Sequence, residues 1–127
     1  MLLIGHRLVP FQPLYPIETV DEIVLTPAGS TVLFEYSPDL IWHCQQNRVP
    51  FALHVSAATE AIIGNGAGAT LLIASSHVVP ELQELAEHYL FDAKIALMVD
   101  NEEGIALAAL KRVDAVILPE GIVTWKS

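Results

Sequence analysis

Seven side chains of types that do chemistry fall at the carboxyl ends of segments with strand character: His6, Glu35, His54, Ser75, Ser76, Asp100 and Glu120. In parallel α/β sheets that edge is where loops and helix N-termini converge and where ligands bind. Two histidines and three carboxylates on one rim can hold a divalent metal, or act as acid and base on a polar substrate. Plainer roles are open to several of them. Asp100, with Glu103 three positions later, reads as the N-cap of a helix, Ser56 reads as another cap, and Ser76 can serve as one. Glu35 and His54 lie inside strands, where neighbouring side chains point to opposite faces, so spacing does not bring them together. The candidate ligand-binding set is therefore His6, Glu35, His54, Ser76, Asp100 and Glu120, with no catalytic residue, metal or cofactor assigned.

Other chemistry-bearing patterns favour structural roles. Gly64-Asn65-Gly66-Ala67-Gly68 is glycine-rich like a phosphate loop. A dinucleotide fingerprint follows a strand and opens a helix, whereas this run closes a helix and leads into a strand. It reads as C-caps and a tight turn. His77, Glu81, Glu84 and His88 share a helical stripe, but Leu82, Leu85, Ala86 and Tyr89 form the apolar stripe opposite, so the polar one is the solvent face. His77, preceding Pro80, can lie outside that helix. Cys44 adjoins His43 on a helix, a poor geometry for a nucleophile and its base, and reads as a small buried apolar residue. Arg7 to Pro13 matches an RxxPxxP ligand. Its apolar content favours a packed segment, and one leaving the carboxyl end of a first strand can serve as a lid over the rim.

The elements that must position these groups alternate regularly. Residues 2–6 read as strand, and Pro10, Pro13 and Pro16 keep 9–17 extended and irregular. Thr19 with Glu22 is a capping box for a short helix ended by Pro27 and Gly29. Strand Thr31–Tyr36 precedes a helix capped by Ser37 with Pro38 in its first turn, running to Asn47. Val49–Val55 is strand, 57–63 helix, 69–74 strand, 79–89 helix, 94–99 strand, 100–110 helix and 115–119 strand. Residues 51–73 also align without gaps on 95–117, matching Ala52, Leu53, Val55 and Ile73 with Ala96, Leu97, Val99 and Ile117. The echo supports one strand–helix–strand frame used twice. The implied fold class is α/β, with a mainly parallel sheet of about six strands joined by right-handed crossovers. The near-continuous apolar strands suit a sheet covered by helices on both faces. The alternative is a partial (β/α) barrel, which the segment Val113-Asp114-Ala115-Val116-Ile117 resembles at the start of a barrel strand.

Composition sets further bounds. A length of 127 residues suits a single domain with its own core. Six Lys and Arg against fifteen Asp and Glu, a net charge of −9, leave no basic footprint for nucleic acid or an anionic membrane. No apolar run approaches the roughly 18 residues that span a bilayer. The apolar start Met1–Ile4 is broken by His6 and Arg7 before a signal core forms. With one cysteine no intrachain disulfide is possible, which fits a cytoplasmic setting. Hydrophobic residues make up 53% of the chain, and mean hydropathy is +0.48. Adding the seven Gly and leaving out the three Tyr gives about 56%, against roughly 45–50% in ordinary domains. The excess implies strands buried on both faces, or apolar surface covered in a homo-oligomer.

The stretches FALHV…EAIIGNGAGA (51–69) and EHYLFDAKI (87–95) resemble a small family of uncharacterised bacterial proteins. That resemblance implies a bacterial, compact α/β protein and carries over no site residue. Two function classes follow. The first is an oligomeric interaction or scaffold protein, preferred because every rim residue has a structural role available. The second is a small-molecule-binding protein or metal-assisted enzyme working at the strand ends. A scaffold should show a continuous apolar patch and no concave rim pocket; an enzyme should bring the rim side chains together in a cleft.

Overall fold

The computed structural model describes residues 1–125. Its strands are β1 (Leu2–Ile4), β2 (Leu14–Pro16), β3 (Thr31–Glu35), β4 (Phe51–His54), β5 (Leu71–Ile73), β6 (Lys94–Met98) and β7 (Ala115–Ile117). Between them run α1 (Val20–Ile23), α2 (Pro38–Asn47), α3 (Ala58–Ala67), α4 (Val79–His88) and α5 (Glu103–Leu110), and a 3-10 turn, Pro119–Gly121, follows β7. All strands pair in parallel in the order β1-β7-β6-β5-β4-β3-β2. The sheet is curled into a half-barrel, the partial-barrel arrangement, and has seven strands rather than six. The additional strand is β2, inside the segment read as irregular. Pro16 is tolerated there because β2 ends the ladder and needs no outward N–H.

Helices do not cover both faces. Consecutive strands are neighbours from β2 to β7, and right-handed crossovers between neighbours put every helix on one side. The core divides accordingly. Ile41, Cys44, Ala61, Leu82 and Ala86 from the helices pack on Val32, Phe34, Leu53, Leu72, Ile95 and Val116. The opposite, concave face carries Ile4, Leu14, Leu33, Ala52, Leu71, Ile73, Ala96, Ala115 and Ile117, joined by Phe11 and Ile122 and by no helical residue. Each strand is thus apolar on both sides, although only one side meets helices.

Chain connectivity enforces the curl. The Leu118 N–H donates to the Ile4 carbonyl at one edge, while Ile122 bridges to Leu14 on β2 at the other. Five strand spacings separate β7 from β2, about 24 Å in a flat sheet. Residues 118 to 122 reach at most about 14 Å. The edges must therefore approach. The Val123 N–H donates to the Leu14 carbonyl and the Trp125 indole to the Pro16 carbonyl, both at 2.9 Å, so the tail runs along β2. Where the turn lies over the end of β1, backbone touches backbone. A Cβ on Gly121 would stand 2.7 Å from the Ile4 oxygen, and one on Gly5 (φ +107°) 2.5 Å from the Gly121 nitrogen. The segment 5–13 starts at the carboxyl end of β1 and must reach the amino end of β2. It crosses the concave face and sets Phe11 inside it, so it is not a lid confined to the rim.

Local signals hold in part. The Glu22 carboxylate accepts from the Thr19 N–H, and Ser37 Oγ from the Leu40 N–H behind Pro38. The echo holds too, since β4–α3–β5 and β6–α5–β7 overlay in its frame. The glycine run differs: α3 continues to Ala67, and only Gly68 (φ +104°) is a left-handed cap. Gly64 lies against the sheet, where a Cβ would come within 2.8 Å of Leu53 and 2.9 Å of Leu72. Tyr89 is exposed rather than part of the buried stripe of α4. Asp114 ties three elements: its carboxylate accepts from the Ile95 N–H and the Gln83 amide, and its carbonyl from the Leu2 N–H.

Gly121→Ala forces backbone apart and should lower the urea-unfolding free energy by about 2–4 kcal/mol. Gly66→Ala, where nothing lies within 4 Å of the new methyl, should raise it by up to about 1 kcal/mol through helix propensity. Equal effects would refute the closure contact. Cys44 is 1% exposed, and desolvation pushes its thiol up to about 11 from 9.0. The unfolded chain then loses this proton first, so stability should fall as pH rises from about 9 towards 11. The native thiol should react with a disulfide reagent only as fast as the protein opens.

Candidate functional site

Register decides what the rim can assemble. Glu35 and His54 are direct Cα partners on β3 and β4. In a parallel pair such partners project to the same face. Both sit on the concave side, with Leu33 and Ala52 below them and Ile73 beside His54. They do meet at one cleft, contrary to the expectation from alternation alone. The loop after β5 brings Ser75, Ser76 and His77 to the same place, and Met98 closes it from β6, giving a cleft of about 570 Å³. Ser75 Oγ lies 3.2 Å from His77 Nδ1. The side chains of Glu35 and His54 form no hydrogen bond or ion pair with the described residues, so their polar atoms are available to a ligand.

The other half of the rim is a separate cleft of about 520 Å³, lined by His6, Arg7, Phe11, Asp100, Asn101, Glu102 and Glu120. His6 Nε2 meets Glu102 Oε1 at 2.5 Å, and the Leu8 N–H donates to Nδ1 at 3.1 Å. An acceptor role for Nδ1 leaves the proton on Nε2, directed at the carboxylate. His6 is thereby fixed as a brace between β1 and the start of α5. Glu102 was not singled out from sequence, since its partner is 96 residues away.

The six candidates therefore divide: Glu35, His54 and Ser76 line one cleft, and His6, Asp100 and Glu120 the other, while Ser76 and Asp100 also share a smaller cleft of about 380 Å³ beside α5. The cause is the arc of the sheet, which sets the ends of β3–β5 apart from those of β1 and β7. Among the described residues no three His, Cys, Asp or Glu side chains come together as a metal site. Two caps also differ. Asn101 Oδ1, not Asp100, accepts from the Glu103 N–H. Ser56 donates its N–H and hydroxyl to Glu60 rather than accepting from the helix. Asp100 is thus free of the capping duty assigned to it. His77, placed with the helical stripe, instead belongs to the rim, as its position before Pro80 allowed.

No helix of the described residues is long and apolar enough to cross a membrane. The brace has a direct spectroscopic check: the ¹⁵N shifts of the neutral His6 ring should show a bare Nδ1 and a protonated Nε2, and Glu102→Gln should move the Nε2 signal. An Nδ1-protonated ring would exclude the arrangement. Comparison of the chain with models of known protein families and with curated proteins finds no match.

Proposed function

We propose that the chain is a small-molecule-binding protein whose ligand sits in the cleft at the ends of β3, β4 and β5. The observation that carries this reading is the register pairing of Glu35 with His54 on the concave face, their side chains without partners among the described residues. Ser75, Ser76 and His77 add donors and acceptors around them. A carboxylate acceptor, two imidazoles and three hydroxyls with Ser56 suit a small, neutral, hydrogen-bonding molecule such as a polyol or sugar. Paired Glu and His side chains can also move a proton on such a ligand. A cytoplasmic, bacterial setting accords with the single cysteine and with the family resemblance of residues 51–69 and 87–95.

The test is titration with a panel of polyols, monosaccharides and hydroxy acids, followed through the ring signals of His54 and His77. A binder should perturb both, and Glu35→Gln or His54→Ala should weaken it about tenfold or more, equivalent to about 1.4 kcal/mol. The reading fails if no compound moves those rings, or if both variants bind like the wild type.

A second reading, self-association, has its own observation. Beyond Glu103 helix α5 is apolar all round, with Leu107 65% and Leu110 81% exposed, and α3 exposes Ile62 and Ile63. A helix apolar on every side is ordinarily buried on every side. Sedimentation at micromolar concentration should show an oligomer that Leu107→Glu with Leu110→Glu dissociates; a wild-type monomer would refute it.

A further inference from the structure

The opposite mouth of the half-barrel holds an apolar cavity of about 500 Å³, at the amino ends of the strands. That volume lies within the roughly 300–1,000 Å³ of small-molecule sites. We propose that this mouth is a second ligand site, for an amphipathic monocarboxylate whose apolar tail enters the barrel and whose carboxylate rests on Lys94.

The space has a clear origin. The concave face includes Ala52, Ala96 and Ala115, which bring less bulk to the interior than Leu or Ile would. Phe11 enters from the crossing segment and lines both this cavity and the His6 cleft, so it forms the floor between the two mouths. Above that floor the walls are Leu2, Ile4, Leu14 and Leu71. A tail laid there removes apolar surface from water on both sides.

Charge selects the head group. Lys94 stands on the concave face by its alternation with Ala96, and it forms no ion pair with the described residues. The chain has fifteen Asp and Glu against six Lys and Arg. The cavity lining nevertheless contains this one cation and no carboxylate. In so acidic a protein an unpaired lysine at the lip of an apolar cavity is complementary to a ligand with one negative charge and a long apolar body. This site stands independently of the rim reading, since the two share no lining residue.

The experiment is methyl NMR on the full chain, titrated with octanoate and, in parallel, with octanol. Octanoate should shift the methyls of Leu2, Ile4, Leu14 and Leu71. Octanol should bind at least tenfold more weakly, Lys94→Met should weaken octanoate by a similar factor, and Lys94→Arg should restore it. The exposure of Lys94 keeps both variants folded, which circular dichroism verifies. The proposal is overturned if millimolar octanoate moves none of these methyls, or if octanol and Lys94→Met match the parent pair. It is equally overturned if the shifts fall on Leu107 and Leu110, or if the same methyls shift on dilution without octanoate, the mark of a second copy covering the mouth.

Discussion

The fold depends on a short piece of backbone. Residues 118 to 123 must hold β1 through Ile4 and β2 through Leu14, although those strands end opposite edges of a seven-stranded sheet. A segment that short cannot bridge a flat sheet. Twist gives an open parallel sheet a tendency to coil; the tail turns that tendency into near closure. The Gly5–Gly121 approach is where side chains would prevent it, and both positions are glycine. Most other features follow: the concave interior, its two mouths, and a crossing segment that covers the inner face without a helix.

Covering a sheet face with an irregular strap rather than helices carries a cost in backbone hydrogen bonding, because a strap has no ladder of its own. Here the burden is small. The crossing segment contains two prolines at positions 10 and 13, which bring no N–H to satisfy. His6 Nδ1 accepts the Leu8 N–H, and the His6 carbonyl accepts the Val9 N–H. The prolines that mark the segment as irregular in the sequence are thus part of what lets it lie over an apolar surface. The brace from His6 to Glu102 fixes its point of departure, at the edge where the tail also folds over β1.

Sequence patterns disclosed the elements better than their arrangement. Strand runs such as Ile95–Met98 and caps such as Ser37 with Pro38 depend on neighbours a few residues apart, so they are visible locally. Helices on one face or two depend on strand order, and continuous apolar strands read alike in both cases, because a strap can bury what helices do not. Leu14-Tyr15-Pro16 was missed as a strand since its pairing partner and its proline tolerance both follow from its edge position. In the candidate site, strand-end placement puts all six residues on the rim, where Glu35, His54 and Ser76 line one cleft and His6, Asp100 and Glu120 another. The union of Glu35 with His54 depends on the β3–β4 register, which alternation along one strand cannot express. Asp100 and Ser56 were misassigned as caps for a related reason. Cap patterns recur wherever a polar residue precedes a helix, and the side chain that accepts depends on one residue of offset, here Asn101.

The two mouths differ in a way the sheet itself imposes. Parallel strands send every helix N-terminus to the carboxyl end, so that rim collects loops with serines, histidines and carboxylates. The amino end receives strand starts, whose side chains continue the apolar interior, and so polar groups there are few. A closed barrel would fill that interior with side chains from facing strands. In this half-barrel three of the concave-face residues are alanine, and Phe11 and Ile122 supply part of the filling. They fill the middle and leave the amino mouth open, with Lys94 at its lip. Lysine is well suited to that place, because its methylene stem can lie along the apolar wall while its ammonium reaches water. An incomplete barrel with a strap through it thus separates a polar cleft from an apolar one within a single domain.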